Sequence, residues 1–304
     1  MIKKTGKFEK MQLEEILSEL ENNTGKFPRL ALERAIEERS AITPVLLTTL
    51  EKLSNNLEEL LEKEEYILHV YALYLLAQFR EALAYPVIIK FFSVGDISLD
   101  VTGDIVTEDL CRILASVSNG NIEPIKELIE NQKANEYVRD AAIESLLVLV
   151  AQEVISREEV IQYYEELFSK AIEDETGYIW TNLVSYSAKL CAVELREHID
   201  KAFEKDLVDE FFINQEDVNE YFEQGREAAF NQLRDNLHYS FIEDVISEME
   251  NWVCFYQEKP QDLDYRLIAP EDFILPKPKK SKAQVKKKRK MQSQSRRKNR
   301  SKKK

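Results

Sequence analysis

The chain has 304 residues, 44% of them hydrophobic, enough to build and bury a substantial core. Its seven glycines, Gly6, Gly25, Gly95, Gly103, Gly120, Gly177 and Gly225, stand too far apart to cradle phosphate with backbone N–H groups, so Rossmann and P-loop nucleotide chemistry are excluded. The formal net charge of −14 hides a division: residues 277–304 carry 16 Lys/Arg and no Asp/Glu, which leaves 26 basic against 56 acidic residues, a net of −30, in 1–276.

The first residues, "MIKKTGKFEKMQLEEIL", are basic but lack the apolar core of a signal peptide. The longest aliphatic run, Leu146–Ala151, falls far short of the roughly 20 residues that span a bilayer. The expectation is a cytoplasmic protein with no membrane span. "MQLEEILSELEN" predicts a capping helix within 1–26. From 27 to 208 apolar residues recur at helical spacing: Ile67, Tyr71, Leu75 and Phe79 form one stripe, and Val138, Ala142, Leu146 and Leu149 another. Pro44, Pro86 and Pro124 each precede an apolar run, where a proline in the first turn sacrifices no hydrogen bond. Helix pairs spaced 35 to 42 residues apart predict an all-α, HEAT-like α-solenoid of about five stacked pairs.

Two C-terminal helices are predicted within 209–256. One runs from about Gln215 to Asp235 with Asn214 as its cap; the other is carried by "FIEDVISEMENWVCF". Residues 257–276, with Pro260, Pro270 and Pro276, predict an extended strap. The Lys/Arg-rich stretch 277–304 has almost nothing to bury and is expected to be disordered.

"GDIVTEDLCRILA" (103–115), "NEYVRDAAIESLLVLV" (135–150) and "ISREEVIQYYEELF" (155–168) together resemble the bacterial DUF1186 family, and the similarity covers most of 10–255. The resemblance implies a HEAT-like helical fold and no assigned activity. Many members end in a Cys-rich SEC-C zinc module; this chain has no cysteine in its tail, so that ligand set does not carry over.

The acidic run Asp96, Asp100, Asp104, Glu108, Asp109 suggests a calcium loop, yet counting from Asp96 puts Val101 where glycine is required and Thr107 where glutamate is. Thr107 is instead expected to cap the following helix, with Glu108 and Asp109 in its first turn. Arg139, in an apolar helix, needs a carboxylate, and Asp104, Glu108 or Asp109 is the expected partner in a structural ion pair. His69, His198 and His238 lie far apart and no His-Glu-x-x-His occurs; Cys111, Cys191 and Cys254 sit singly in apolar patterns and read as buried thiols. Trp180, Trp252 and the pair Tyr163–Tyr164 read as core or groove lining. No catalytic, cofactor or metal set emerges. A body of −30 would also repel the DNA that HEAT-like glycosylases hold on a basic face.

The expected role is therefore a non-catalytic scaffold whose body binds a protein partner. Lys286, Lys287, Lys288, Arg289, Lys290, Arg296, Arg297, Lys298 and Arg300 would grip RNA or a ribonucleoprotein through phosphate; with no aromatic residue in the tail, base stacking is unavailable. The alternatives are an enzyme or chaperone-like factor with a cleft in the solenoid, the tail then folding back as an intramolecular clasp. In a eukaryotic host "VKKKRK" would also read as a nuclear import signal.

Overall fold

The computed structural model describes residues 12–170 and 177–255. Within them the chain is helical: α1 (Leu13–Glu21), α2 (Arg29–Glu37), α3 (Arg39–Ser54), α4 (Glu58–Leu61), α5 (Leu68–Gln78), α6 (Tyr85–Phe92), α7 (Ile97–Thr102), α8 (Ile105–Glu108), α9 (Leu110–Ser118), α10 (Glu123–Glu130), α11 (Glu136–Ala151), α12 (Arg157–Ser169), α13 (Tyr178–Lys189), α14 (Arg196–Glu204), α15 (Gln215–Asp235) and α16 (Val245–Met249). Isolated bridges join Asn22 to Tyr66 and Gly95 to Ala134; no strand forms among the described residues. The class is all-α, as expected.

Why these segments pack as they do follows from their faces. α6 and α10 are amphipathic, burying Ile88, Phe91 and Phe92, and Ile125, Leu128 and Ile129. Their first turns hold Pro86 and Pro124, the positions read from sequence. α5, α9 and α11 are buried almost all round, the mark of helices covered on both faces. α5, α9, α11, α13 and α15 pack each against the next, while α6 and α10 lie on one side of that row. The loops that leave α5, α9, α11 and α13 repeat one device, a non-glycine residue with positive φ: Arg80, Asn119, Glu153 and Cys191. Reversing the chain there lets the next, shorter segment begin at once.

Three sequence expectations are corrected. Pro44 does not open a helix; it lies inside α3, because α3 begins at Arg39 immediately after α2. Thr107 is no cap: Gly103 (φ 58°) ends α7, the turn α8 follows, and Thr107 Oγ1 donates to the Asp104 carbonyl within it. The helix expected over Phe241–Phe255 shrinks to the five residues of α16, because the backbone ahead of it bonds to side chains of other helices.

Asn214 does cap α15, its Oδ1 accepting from the N–H groups of Glu216 and Asp217. α15 is nevertheless broken at Gly225, whose φ 83° and ψ 163° lie in a region open essentially to glycine alone. A Cβ there would meet nothing within 4 Å, so the cost of adding one is backbone strain only. Gly225→Ala is expected to lower stability by about 1–3 kcal/mol, or to straighten the helix at similar cost. Urea unfolding of the variant checks it; an unchanged midpoint would mean the kink is not required.

Candidate functional site

After α15 the chain turns at Asn236 and crosses the row of buried helices as an irregular segment, residues 236–255. This segment covers their second face. It is held by side chains from five elements. Gln152, just past α11, donates Nε2 to the Tyr239 carbonyl at 3.0 Å. Ser116 Oγ in α9 accepts from the Ile242 N–H at 3.1 Å, and Gln78 Oε1 in α5 accepts from the Val245 N–H at 2.9 Å. Arg80 donates to the Ile242 carbonyl at 3.0 Å, pairs with Glu243 and lies over the Phe241 ring, 4.1 Å from its centroid. Lys189 in α13 donates Nζ to the Tyr239 hydroxyl at 2.9 Å.

Arg112 in α9 is the centre of the clamp. Its guanidinium donates to both Glu248 oxygens, at 2.6 and 2.9 Å, and to Asp109 Oδ1 at 2.8 Å. It also donates to the Ser240 and Phe241 carbonyls, at 3.0 and 3.1 Å. Tyr74 closes the network, donating its hydroxyl to Asp109 Oδ2 at 2.5 Å. Burial works against the Arg112 charge, but Glu248 and Asp109 outweigh it and hold the arginine firmly protonated. This corrects the pairing expected of Arg139. Asp109 is taken by Arg112 and Tyr74, Asp104 and Glu108 stand exposed, and the buried Arg139 turns Nε onto the Ile129 carbonyl at 2.8 Å.

A second polar cluster lies where the segment passes α9 and α11. Glu144 Oε1 sits 3.2 Å from His238 Nε2 and 3.4 Å from the Tyr239 hydroxyl, and Cys111 Sγ is 4.0 Å from the same His238 nitrogen. One turn back on α11, Asp140 Oδ2 accepts from Tyr186 at 3.2 Å. The charges here are tuned by their surroundings. Burial, reinforced by Glu144, pushes the Asp140 carboxyl up to about 7. Burial would raise Glu144 as well, but His238 and Lys189 outweigh it and hold that carboxyl low. The Glu144 hydrogen bond lifts His238, while burial lifts the Cys111 thiol and lowers Lys189. Cys111, Glu144 and His238 each present a ligand atom within 4.8 Å of the other two. No sequence motif joins them, and the acid pair Asp140 and Glu144, four apart on the mostly apolar α11, points to neither Cys111 nor His238. Cys111 and Cys191 are buried as expected, whereas Cys254 is exposed.

Beside the far end of the segment is an open cavity of about 630 Å³ between Tyr66, His69 and Tyr74 on one side and Trp252 and Cys254 on the other. Glu64, Glu65, Asp104, Glu108 and Asp109 line it, with no Lys or Arg among the lining residues. His69 donates its Nε2–H to the Val101 carbonyl at 2.8 Å, while its buried Nδ1 has no partner among the described residues. Trp180, Tyr163 and Tyr164 belong to the core. Lys286, Lys287, Lys288, Arg289, Lys290, Arg296, Arg297, Lys298 and Arg300, and the proline-containing stretch 257–276, lie outside the described residues. Among the described residues no helix is long and apolar enough to cross a membrane.

Residues 11–256 match the family described as "Protein of unknown function (DUF1186)". A relative in Chlamydia muridarum, described as "Uncharacterized protein", is 40% identical over 245 residues, covering 80% of this chain and 97% of its own. Another of the same description, in Chlamydia trachomatis serovar D, is 41% identical over 245 residues, covering 80% of this chain and 96% of its own. No solved structure matches the chain.

Proposed function

The chain belongs to the DUF1186 family, and from that premise we propose that it is a non-catalytic, HEAT-like helical scaffold whose body takes up a basic segment of a protein partner while its tail holds RNA or a ribonucleoprotein. One observation carries the reading: opposite charges are concentrated in separate stretches of the sequence. The body offers a cavity edged by Glu64, Glu65, Asp104 and Glu108 beside the Arg112-paired Asp109, with no lysine or arginine among its lining residues, and residues 277–304 hold 16 Lys/Arg without an acid. A carboxylate-edged cleft attracts Lys/Arg side chains and repels phosphate; a cationic tail does the reverse. The second face of α5, α9 and α11 is closed by the chain's own residues 239–248, so the reading places the partner at the carboxylate-edged cavity instead.

The test is an RNA-binding titration over salt, comparing the full chain with one ending at Pro276. Binding is expected to vanish on truncation. If six to ten charges meet phosphates, affinity of the full chain should fall by roughly 10³–10⁵ between 50 and 200 mM salt. A full chain that fails to bind at low salt would sink the RNA half of the proposal. The cavity half is read separately, by titrating a Lys/Arg-rich peptide into the chain ending at Pro276. Loss of binding is expected when Glu64, Asp104 and Glu108 become their amides; equal binding by that variant would count against the cavity.

A further inference from the structure

We propose that Cys111, Glu144 and His238 form a zinc site that staples the crossing segment onto helices α9 and α11. The proposal goes beyond the scaffold reading and does not depend on RNA binding.

The donor set is one thiol sulfur, one imidazole nitrogen and one carboxylate oxygen, each from a different part of the fold. Sulfur with imidazole selects a borderline-soft divalent ion over calcium or magnesium, which take oxygen ligands. The spacing is close to what such an ion needs. A tetrahedral zinc with bonds of about 2.3 Å to sulfur and about 2.0–2.1 Å to nitrogen and oxygen places sulfur and nitrogen roughly 3.6 Å apart, and nitrogen and oxygen roughly 3.3 Å apart. The observed separations are 4.0 Å from Cys111 Sγ to His238 Nε2 and 3.2 Å from His238 Nε2 to Glu144 Oε1. Those two separations need to change by only a few tenths of an ångström, and the third, between Cys111 and Glu144, lies within 4.8 Å and would close to roughly 3.6 Å on an ion.

The surroundings suit a fixed site. Glu144 is oriented by the Tyr239 hydroxyl, which Lys189 in turn holds from the other side, so the carboxylate is positioned as outer partners position a metal ligand. The His238 backbone is set by its N–H donating to Asn236 Oδ1 at 3.0 Å. Cys111 is buried and Glu144 nearly so, while the His238 side chain remains 35% exposed and marks the entry side. Thiolate and carboxylate together cancel the dication, so the loaded site is neutral beside Lys189 and Asp140. Uptake breaks the Cys111 S–H bond and displaces any proton from His238; these protons go to solvent, and zinc affinity rises with pH. Three protein ligands leave a fourth position for water.

The test uses the full chain, stripped with a chelator and titrated with zinc alone against a chromogenic competitor. One tightly held zinc per chain is expected, and it should raise the unfolding temperature. Cobalt used in place of zinc should show a thiolate-to-metal charge-transfer band, which Cys111→Ser removes. His238→Ala, at a half-exposed position, should weaken zinc at least about tenfold without loss of the fold. Three outcomes would overturn the site: no zinc held against a competitor of about micromolar affinity, cobalt bound by wild type without the thiolate band, or affinity unmoved by His238→Ala.

Discussion

Arg112→Ala is expected to destabilise the protein by about 3–5 kcal/mol, the usual consequence of removing one partner from a buried charge cluster. The Arg112 side chain is 8% exposed and answers two carboxylates and two backbone carbonyls at once. Without it Asp109 and Glu248 face each other uncompensated, and the carbonyls of Ser240 and Phe241 lose a donor. Lysine restores charge but not the fork, so Arg112→Lys should recover less than half of the loss. Urea unfolding measures the change. A second readout separates a local effect from a global one: Trp252, whose ring meets that of Tyr74 at 5.5 Å, lies on the crossing segment, and its emission should shift red before the helices melt. A cost below about 1 kcal/mol would mean that Arg112 does not anchor the segment.

Asp140→Asn is expected to stabilise the protein above pH 7 by about 2–4 kcal/mol and to do little near pH 4. The sign follows from the raised carboxyl, up to about 7 in the fold against an ordinary value of 3.8. Between those values the folded protein keeps the proton that the unfolded chain releases. The stability Asp140 contributes is therefore complete below about pH 4 and lost as pH rises towards 7. Asparagine keeps an acceptor for Tyr186 and never ionises beside Glu144. Unfolding curves of both proteins at pH 4, 6 and 8 decide the matter. Parallel pH profiles would show that Asp140 ionises in the fold as easily as in the unfolded chain.

The helices were legible in the sequence because their signals are local. Pro86, Pro124 and Asn214 act within one turn of where they stand, and each is found in the expected role. Pro44 and Thr107 were misread because a proline or threonine signal marks a favourable position without excluding its neighbours, and α2 and Gly103 set the boundaries instead. The ionic clamp was legible in kind and not in detail. A buried arginine did need carboxylates, but α9 shows Arg112 to the crossing segment, while Arg139 faces the end of α10. The cluster of Cys111, Glu144 and His238 could not be read at all: Cys111 and His238 are 127 residues apart, and only the path of residues 236–255 brings them together. Periodicity identifies which residues a helix buries; it carries nothing about which distant segment does the covering.

The order of synthesis gives the crossing segment a further consequence. Ribosomes deliver α5, α9, α11 and α13 first, and the stretch that covers them arrives more than a hundred residues after α5. Until it docks, an apolar surface with the polar groups of Arg80, Arg112 and Gln152 faces solvent, and the closure that hides it joins those groups to residues 87 to 163 positions away. Contacts so distant in the chain form late and slowly. A nascent or nicked chain lacking residues 236–255 would thus be sticky rather than merely shorter, a natural client for chaperones and proteases. Completing the body is a matter of timing as much as of packing.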